Sequence, residues 1–388
     1  MFSESGVMKQ SYIDDGLRFV LLTSMLASMY LVVQRYTLSG LFWDLNPILS
    51  AINEQKNGLD PYRHMAQSMF IYHPYALKIL TLIDRLYPLR DVIVTVYLLI
   101  FLWFAWQTFY FLKQKHSATS ITLVQLSALC FGGLSLWALL CGNFSAYFHC
   151  VLFGLALQYF RTRQRYLLYL FAFALLAFAL IKPYFLSYVL VYFLVLKFWR
   201  AVGLSIALVV GTMALWFSGK LLFPIEYAKF LSALQYQIIT KDDLGAFSTV
   251  RLTAPFIGNI AGFLLHLAVV GGLLLYCFFN NRIKRYFSDS DSQLMLLLFF
   301  IVALNPRLAF YDFLVCVIAV FFLVLIKLPN TYQRVLLCGV PFAIYAQLAA
   351  HPSRWIFLSF FVVLACFILM AYQAQRKGLL LPSLKISS

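Results

Sequence analysis

The sequence predicts an all-α, polytopic membrane protein, a single membrane-embedded domain over residues 1–388. Three observations carry the prediction. Charge is scarce, apolar runs of spanning length recur, and basic residues gather in the short links between those runs. Apolar residues make up 63% and charged residues 11%, with a mean hydropathy of +0.85, whereas a soluble domain averages about 45–50% and about 25%. A soluble chain of this length would cover one or two cores with charge. Here that cover is too thin, so lipid must solvate much of the surface. The net charge of +16 does not indicate nucleic acid. The basic residues punctuate apolar runs instead of forming a patch among interleaved aromatics, and they read as orientation signals and headgroup contacts. Aromatics, at 18%, fit interfacial belts and core packing.

A spanning helix needs about 20 largely apolar residues. Runs near that length occur at 17–37, 91–112, 119–141, 144–160, 166–181, 184–199, 201–217, 260–279, 293–306, 309–326, 334–350 and 355–372, which predicts about twelve spans, in a range of ten to thirteen. The run at 17–37 follows a polar N-terminus and carries no small-residue cleavage site, so it is expected to be retained as the first helix. The shortest runs, 166–181 and 293–306, are expected to be partial or re-entrant spans. All seven cysteines lie within or at the ends of apolar runs, without CxxC or metal-ligand spacing, and read as small buried hydrophobes: no disulfide and no structural zinc.

Basic residues set the orientation. With the N-terminus in the cytoplasm, the cytoplasmic pieces, which are the two termini and short links, hold 17 of the 30 basic residues and 5 of the 14 acids. The expected topology is N-in and C-in, in a bacterial inner membrane given the lack of eukaryotic targeting signals. Two long segments, 40–90 and 218–259, then fall on the extracytoplasmic face. In the first, Leu45, Ile48, Leu49 and Ile52 recur at helical spacing, and Ile79, Leu80, Ile83 and Leu86 do so again. Each pattern is too short and too polar to span and suits an interfacial amphipathic helix. Tyr227, Leu231, Leu234 and Ile238 mark another in the second segment. No internal repeat is evident, so an inverted-repeat transporter is not supported.

Polar residues at membrane depth are costly and tend to be functional. Four clusters stand out, all on the extracytoplasmic side of this topology. Asp44, in Phe42-Trp43-Asp44-Leu45-Asn46-Pro47, reads equally well as a helix N-cap and as a carboxylate available as general base. Asp60, Tyr62 and Arg63, in Gly58-Leu59-Asp60-Pro61-Tyr62-Arg63, read first as turn chemistry, and His73, in Tyr72-His73-Pro74, as a hydrogen-bonded histidine; a substrate contact is the other reading of each. Asn143, in Cys141-Gly142-Asn143-Phe144, and Lys182, in Ile181-Lys182-Pro183-Tyr184, break apolar hairpins at one level. Lys182 is either a snorkelling lysine or an ammonium held by a helix break where an anion would bind. Arg307, Tyr311 and Asp312 lie between two apolar runs; Arg307 and Asp312 either pair with each other or present a guanidinium fork suited to a phosphate.

Together these residues supply a carboxylate, a histidine and two cations facing one compartment beside lipid. Glycosyl transfer from a lipid-phosphate sugar makes matching demands. The acceptor hydroxyl needs a carboxylate base, the departing phosphate needs Lys or Arg to offset its charge, and the lipid tail needs a membrane-embedded groove.

The order Asp44, then Gly58-Leu59-Asp60-Pro61-Tyr62, then Tyr72-His73-Pro74, resembles C-type (GT-C) membrane glycosyltransferases, and most of all family 87, which holds polyprenyl-phosphate-mannose-dependent mannosyltransferases. Ile181-Lys182-Pro183 matches that family's I-K-P element, Cys141-Gly142-Asn143-Phe144 keeps part of its G-Q/N-x-N element, and His73 stands where the family has proline. The resemblance covers roughly residues 40–190. It implies a GT-C-like fold and an inverting transferase that moves a sugar, mannose first, from a polyprenyl-phosphate donor to a lipid or glycan acceptor. It implies no nucleotide site, no cofactor and no metal. By position Asp44 would be the base, with Lys182 and Arg307 the phosphate contacts. The expected partners are the donor, the acceptor and membrane lipids. A transporter or lipid flippase and an O-antigen ligase or polymerase are the rival readings.

Overall fold

The computed structural model describes residues 42–62, 72–129, 139–239, 256–305 and 310–327. Among them the fold is all-helical, with 86% of residues in helix and no strand. A 3₁₀ turn (Trp43–Leu45) leads into α1 (Asn46–Lys56), followed by α2 (Pro74–Leu86), α3 (Leu89–Lys113), α4 (Ala118–Leu129), α5 (Phe144–Thr162) and α6 (Tyr166–Ile181). A second 3₁₀ segment (Pro183–Val191) runs into the single turn α7 (Tyr192–Val195). Then come α8 (Phe198–Leu222), α9 (Pro224–Ile239), α10 (Asn259–Phe279), α11 (Asn281–Tyr286), α12 (Ser290–Ala303) and α13 (Phe310–Lys327). The predicted runs 17–37, 334–350 and 355–372 lie outside the described residues.

Among the described residues, three helices are long and apolar enough to cross a membrane: α3, α8 and α10, the last counted from Ile260. Shorter apolar helices fill the space between them. The centre of the bundle is α5, which packs on α3, α6 and α13 and buries side chains on every face, from Phe144 through His149 and Phe153 to Phe160. The α12–α13 hairpin is equally enclosed, with Leu294 to Ala303 buried without a break. A helix apolar all round belongs in a core or in lipid. The enclosed α5, α12 and α13 are the first case. The outer faces of α3, α8 and α10 expose Leu102, Trp106, Val210, Phe217, Leu264 and Phe279, a composition suited to the second.

The predicted run 184–199 is not one α-helix. Pro183 cannot donate to the α6 carbonyl ladder, and the chain continues as nine 3₁₀ residues and one α turn before breaking at extended Leu196. A 3₁₀ helix rises about 2.0 Å per residue against 1.5 Å in an α-helix. The thirteen residues therefore reach about 24 Å, where an α-helix would reach about 20 Å. The next helix starts earlier and ends later than the predicted 201–217, at Phe198–Leu222.

The two ends of the bundle differ. At one end, Asp289 caps α12 and pairs with Lys327 of α13, while Lys115, after α3, reaches Asp291 at 2.5 Å. At the other end the two long segments meet. Lys78 of α2 pairs with Glu226 of α9 at 3.1 Å, and Asp60 pairs with Lys229 at 3.2 Å. In α1 the predicted stripe faces protein: Leu45, Ile48 and Ile52 are buried. In α2 it is split: Ile79 is 55% and Leu86 68% exposed, Leu80 and Ile83 are half-buried against the core, and Ala76, Leu77 and Thr81 turn inward. In α9 the buried face is Tyr227, Phe230 and Ala233, and Leu231 is exposed, so the predicted face is rotated by one residue.

Candidate functional site

The 3₁₀ turn is laid against the end of α5 by its own backbone. Phe42 N–H donates to the Leu140 carbonyl at 2.9 Å and Asp44 N–H to the Cys141 carbonyl at 3.0 Å. Two positive-φ residues make this close approach possible. Gly142 has φ +79°, and a Cβ there would stand 2.9 Å from Phe42 Cδ1 and 3.0 Å from its Cα. Phe42 itself has φ 58°, in the left-handed region. A non-glycine residue held there costs on the order of 1–2 kcal/mol, and the flanking backbone bonds hold it in place. Tyr97 of α3 donates its hydroxyl to the Gly142 carbonyl at 3.1 Å and completes the support.

Asp44 does not cap a helix. The N-cap of α1 is Leu45, with no side-chain cap. The Asp44 carboxylate instead accepts a 2.9 Å hydrogen bond from the Asn143 amide. The other atom of that amide, Asn143 Oδ1, accepts from Lys182 Nζ at 3.2 Å and from the Ser145 N–H at 3.0 Å, which caps α5. Lys182 also donates to Ser145 Oγ at 2.5 Å, and its ammonium lies 6.0 Å from the centre of the Tyr72 ring. Burial pushes the Asp44 carboxyl above the usual carboxylate range, while Asn143, the Lys182 charge and Cys141 hold it down. One amide thus bridges a carboxylate and an ammonium that lie far apart in sequence.

Lys182 is placed by its own sequence. It ends α6 with extended backbone, φ −140° and ψ 102°, as the residue before a proline prefers. Its N–H still closes the last turn onto the Phe178 carbonyl at 2.8 Å, while the side chain swings toward α5.

A second polar group lies deeper. His149, one helical turn beyond Ser145 on α5, meets the Tyr188 hydroxyl at 2.8 Å through Nδ1 and Asp312 Oδ1 at 3.2 Å through Nε2. Tyr184 donates to the same Asp312 oxygen at 2.8 Å, and Asn305 donates to Asp312 Oδ2 at 3.2 Å. Both His149 and Asp312 are 1% exposed. A buried carboxylate needs such partners, since an unpaired charge there costs several kcal/mol.

The remaining predicted residues fall elsewhere. His73 caps α2 by accepting from the Tyr75 N–H at 3.3 Å, and its Nε2 faces the Trp216 carbonyl at 3.2 Å. Those partners assign the neutral Nε2–H tautomer, and burial lowers the imidazole pKa. His73 therefore joins α2 to α8 and does not meet the Asp44 group. Asp60 accepts from the Tyr62 N–H at 3.0 Å, an Asx turn, and Tyr62 donates its hydroxyl to the Tyr72 carbonyl at 3.0 Å, behind the ring that faces Lys182. Arg63, Arg307 and the Tyr311 side chain lie outside the described residues.

Asp44, Tyr72, Asn143 and Lys182 are thus brought together, with Asp312 in the adjoining group. Sequence reasoning missed Ser145 and His149. Their signal was faint: single polar residues at i and i+4 within an apolar run. Among the described residues no cluster of His, Cys, Asp or Glu could hold a metal ion, and Cys141, Cys150, Cys277 and Cys316 are buried thiols. No protein-family model, curated protein or solved structure matches the chain.

Proposed function

We propose that the protein is an inverting glycosyltransferase of GT-C-like architecture. It moves a sugar, mannose first, from a polyprenyl-phosphate donor to a lipid or glycan acceptor at the extracytoplasmic face. The observation that carries this reading is the Asn143 amide holding the Asp44 carboxylate and the Lys182 ammonium side by side. The reading counts 17–37, 334–350 and 355–372 as further spans, about twelve in all.

The chemistry follows from the pair. Asp44 accepts the proton of the acceptor hydroxyl, and the freed oxygen attacks the anomeric carbon from the face opposite the phosphate. The bond from that carbon to the phosphate oxygen breaks, its electron pair leaves with the lipid phosphate, and the anomeric configuration inverts. A base whose pKa burial has raised is better matched to that proton. A fixed ammonium offsets the charge that grows on the phosphate.

The test offers purified protein a panel of polyprenyl-phosphate sugars with short glycan acceptors and follows release of polyprenyl phosphate. Acceptor-dependent release from one donor, mannose first, is the expected result. No release across the panel would reject the reading. A transporter is the second reading, favoured by the buried His149–Asp312 pair, because ionisable pairs inside a membrane bundle mark proton pathways.

A further inference from the structure

Lys182 lies at a break between two helical segments, where a side chain has the least support from its own backbone. Its ammonium is held on one side by Asn143 and Ser145. The chain just beyond it is held separately. Tyr184, two residues on, donates to Asp312, and Tyr188 meets His149. Ser145 and His149 stand four apart on α5, on one face and about 6 Å apart along the axis. The segment from Lys182 to Tyr188 is thus fastened to one face of α5 at two levels, and Asp312 closes the lower fastening from α13.

The Asp312 carboxylate accepts from three donors contributed by three separate parts of the chain: His149, Tyr184 and Asn305. Three acceptor bonds on two oxygens need a carboxylate. An amide in its place would turn an N–H₂ group toward one of those donors. A buried pair serving only to fill space could be replaced by apolar side chains at little cost; this one instead points its bonds at the residues flanking the Lys182 break.

We propose that Asp312 is a positioning residue: through Tyr184, and through His149 with Tyr188, it fixes where the Lys182 ammonium sits. That Lys182 serves a lipid phosphate rests on the transferase reading; that Asp312 places it does not.

The test uses the full chain in detergent and needs no donor. Lysines are acetylated with acetic anhydride across a pH series, and labelling at Lys182 is read by peptide mass spectrometry against exposed Lys284. Tyr184→Phe removes one hydroxyl, the mildest break in the fastening, and Asp312→Asn removes the charge. Both should speed Lys182 labelling by about 2–10-fold, the freedom that one buried hydrogen bond of ordinary net strength withholds, and should move its pH profile. Tyr192→Phe is the control. Its hydroxyl donates to the Leu168 carbonyl at 3.1 Å, an equivalent bond within the same stretch of chain but away from Asp312. It should leave Lys182 labelling unchanged.

Native labelling of Lys182 in Tyr184→Phe would overturn the proposal, as would an equal change in Tyr192→Phe. Native labelling of Lys182 in Asp312→Asn would also overturn it. Absence of glycosyl transfer leaves the labelling result standing, so failure of the transferase reading and failure of this proposal are separable.

Discussion

Lys182→Met keeps the length and apolar stem of the side chain and removes its charge. Two consequences can be worked from the geometry. The first is on rate: on the transferase reading a cation beside the departing phosphate is lost, and such a contact is worth about 10²–10³ in turnover. The second is on pH. Asp44 must be ionised to act as base, so activity rises with pH through its pKa. Burial raises that pKa and the Lys182 charge lowers it. Removing the charge therefore moves the acid limb to higher pH. The two charges are joined through Asn143 by bonds of 2.9 and 3.2 Å, which puts them about 7 Å apart. At an effective dielectric between about 20 and 80 their interaction is about 0.6–2.4 kcal/mol, a displacement of about 0.4–1.8 pH units. The assay is release of polyprenyl phosphate from pH 4 to 8 (about the range open to a raised carboxyl) by native protein and variant. Native rate in Lys182→Met, or an acid limb that does not move, would refute the link between the two side chains. Lys182→Arg should restore little, because the pocket between Asn143 and Ser145 receives a compact point charge and not a planar fork.

Two other predictions bear on the frame that holds the site. Gly219→Ala would place a methyl carbon 2.5 Å from His73 Cε1 and 2.7 Å from Nε2; overpacking of that kind costs about 1–3 kcal/mol and should lower the melting temperature in detergent, whereas Gly203→Ala, with open space around its Cβ, should not, and equal melts would refute the His73 packing. For topology, a cysteine replacing exposed Asn57 should react with an impermeant thiol reagent in intact cells, and one replacing exposed Lys284 only after permeabilisation. The reverse pattern would overturn the orientation together with the site.

Much of the site was legible because Asp44, Asn143 and Lys182 each stand where an apolar run ends, and the alternation of spans puts those ends on one face. The bonds among them were not legible. Asp44 before an apolar periodicity looks like an N-cap, and only the backbone pairing of Phe42 and Asp44 with Leu140 and Cys141 turns its carboxylate to Asn143. For Asp312 the sequence offered nearby Arg307, which lies outside the described residues; the fold also gives it His149, 163 residues away. Local spacing carries no information about such a pairing. The α2 and α9 stripes were misplaced in a similar way. In α2 both faces are apolar, so Ile79 and Leu86 could not be told from the buried Ala76 and Leu77 by periodicity alone. The 3₁₀ segment after Pro183 reads as an ordinary apolar run because composition does not report helical rise.

The central claim is that Asp44 takes the acceptor proton, and Asp44→Asn tests it most directly. The amide oxygen of the new side chain can still accept from Asn143 Nδ2, so the hydrogen-bonded frame of the site is kept while the charge and the basicity are lost. The measurement is single-turnover transfer by purified Asp44→Asn beside its thermal melt. An unchanged melt with transfer slowed by about 10²–10⁴ is the predicted result. An unchanged melt with near-native transfer would contradict it.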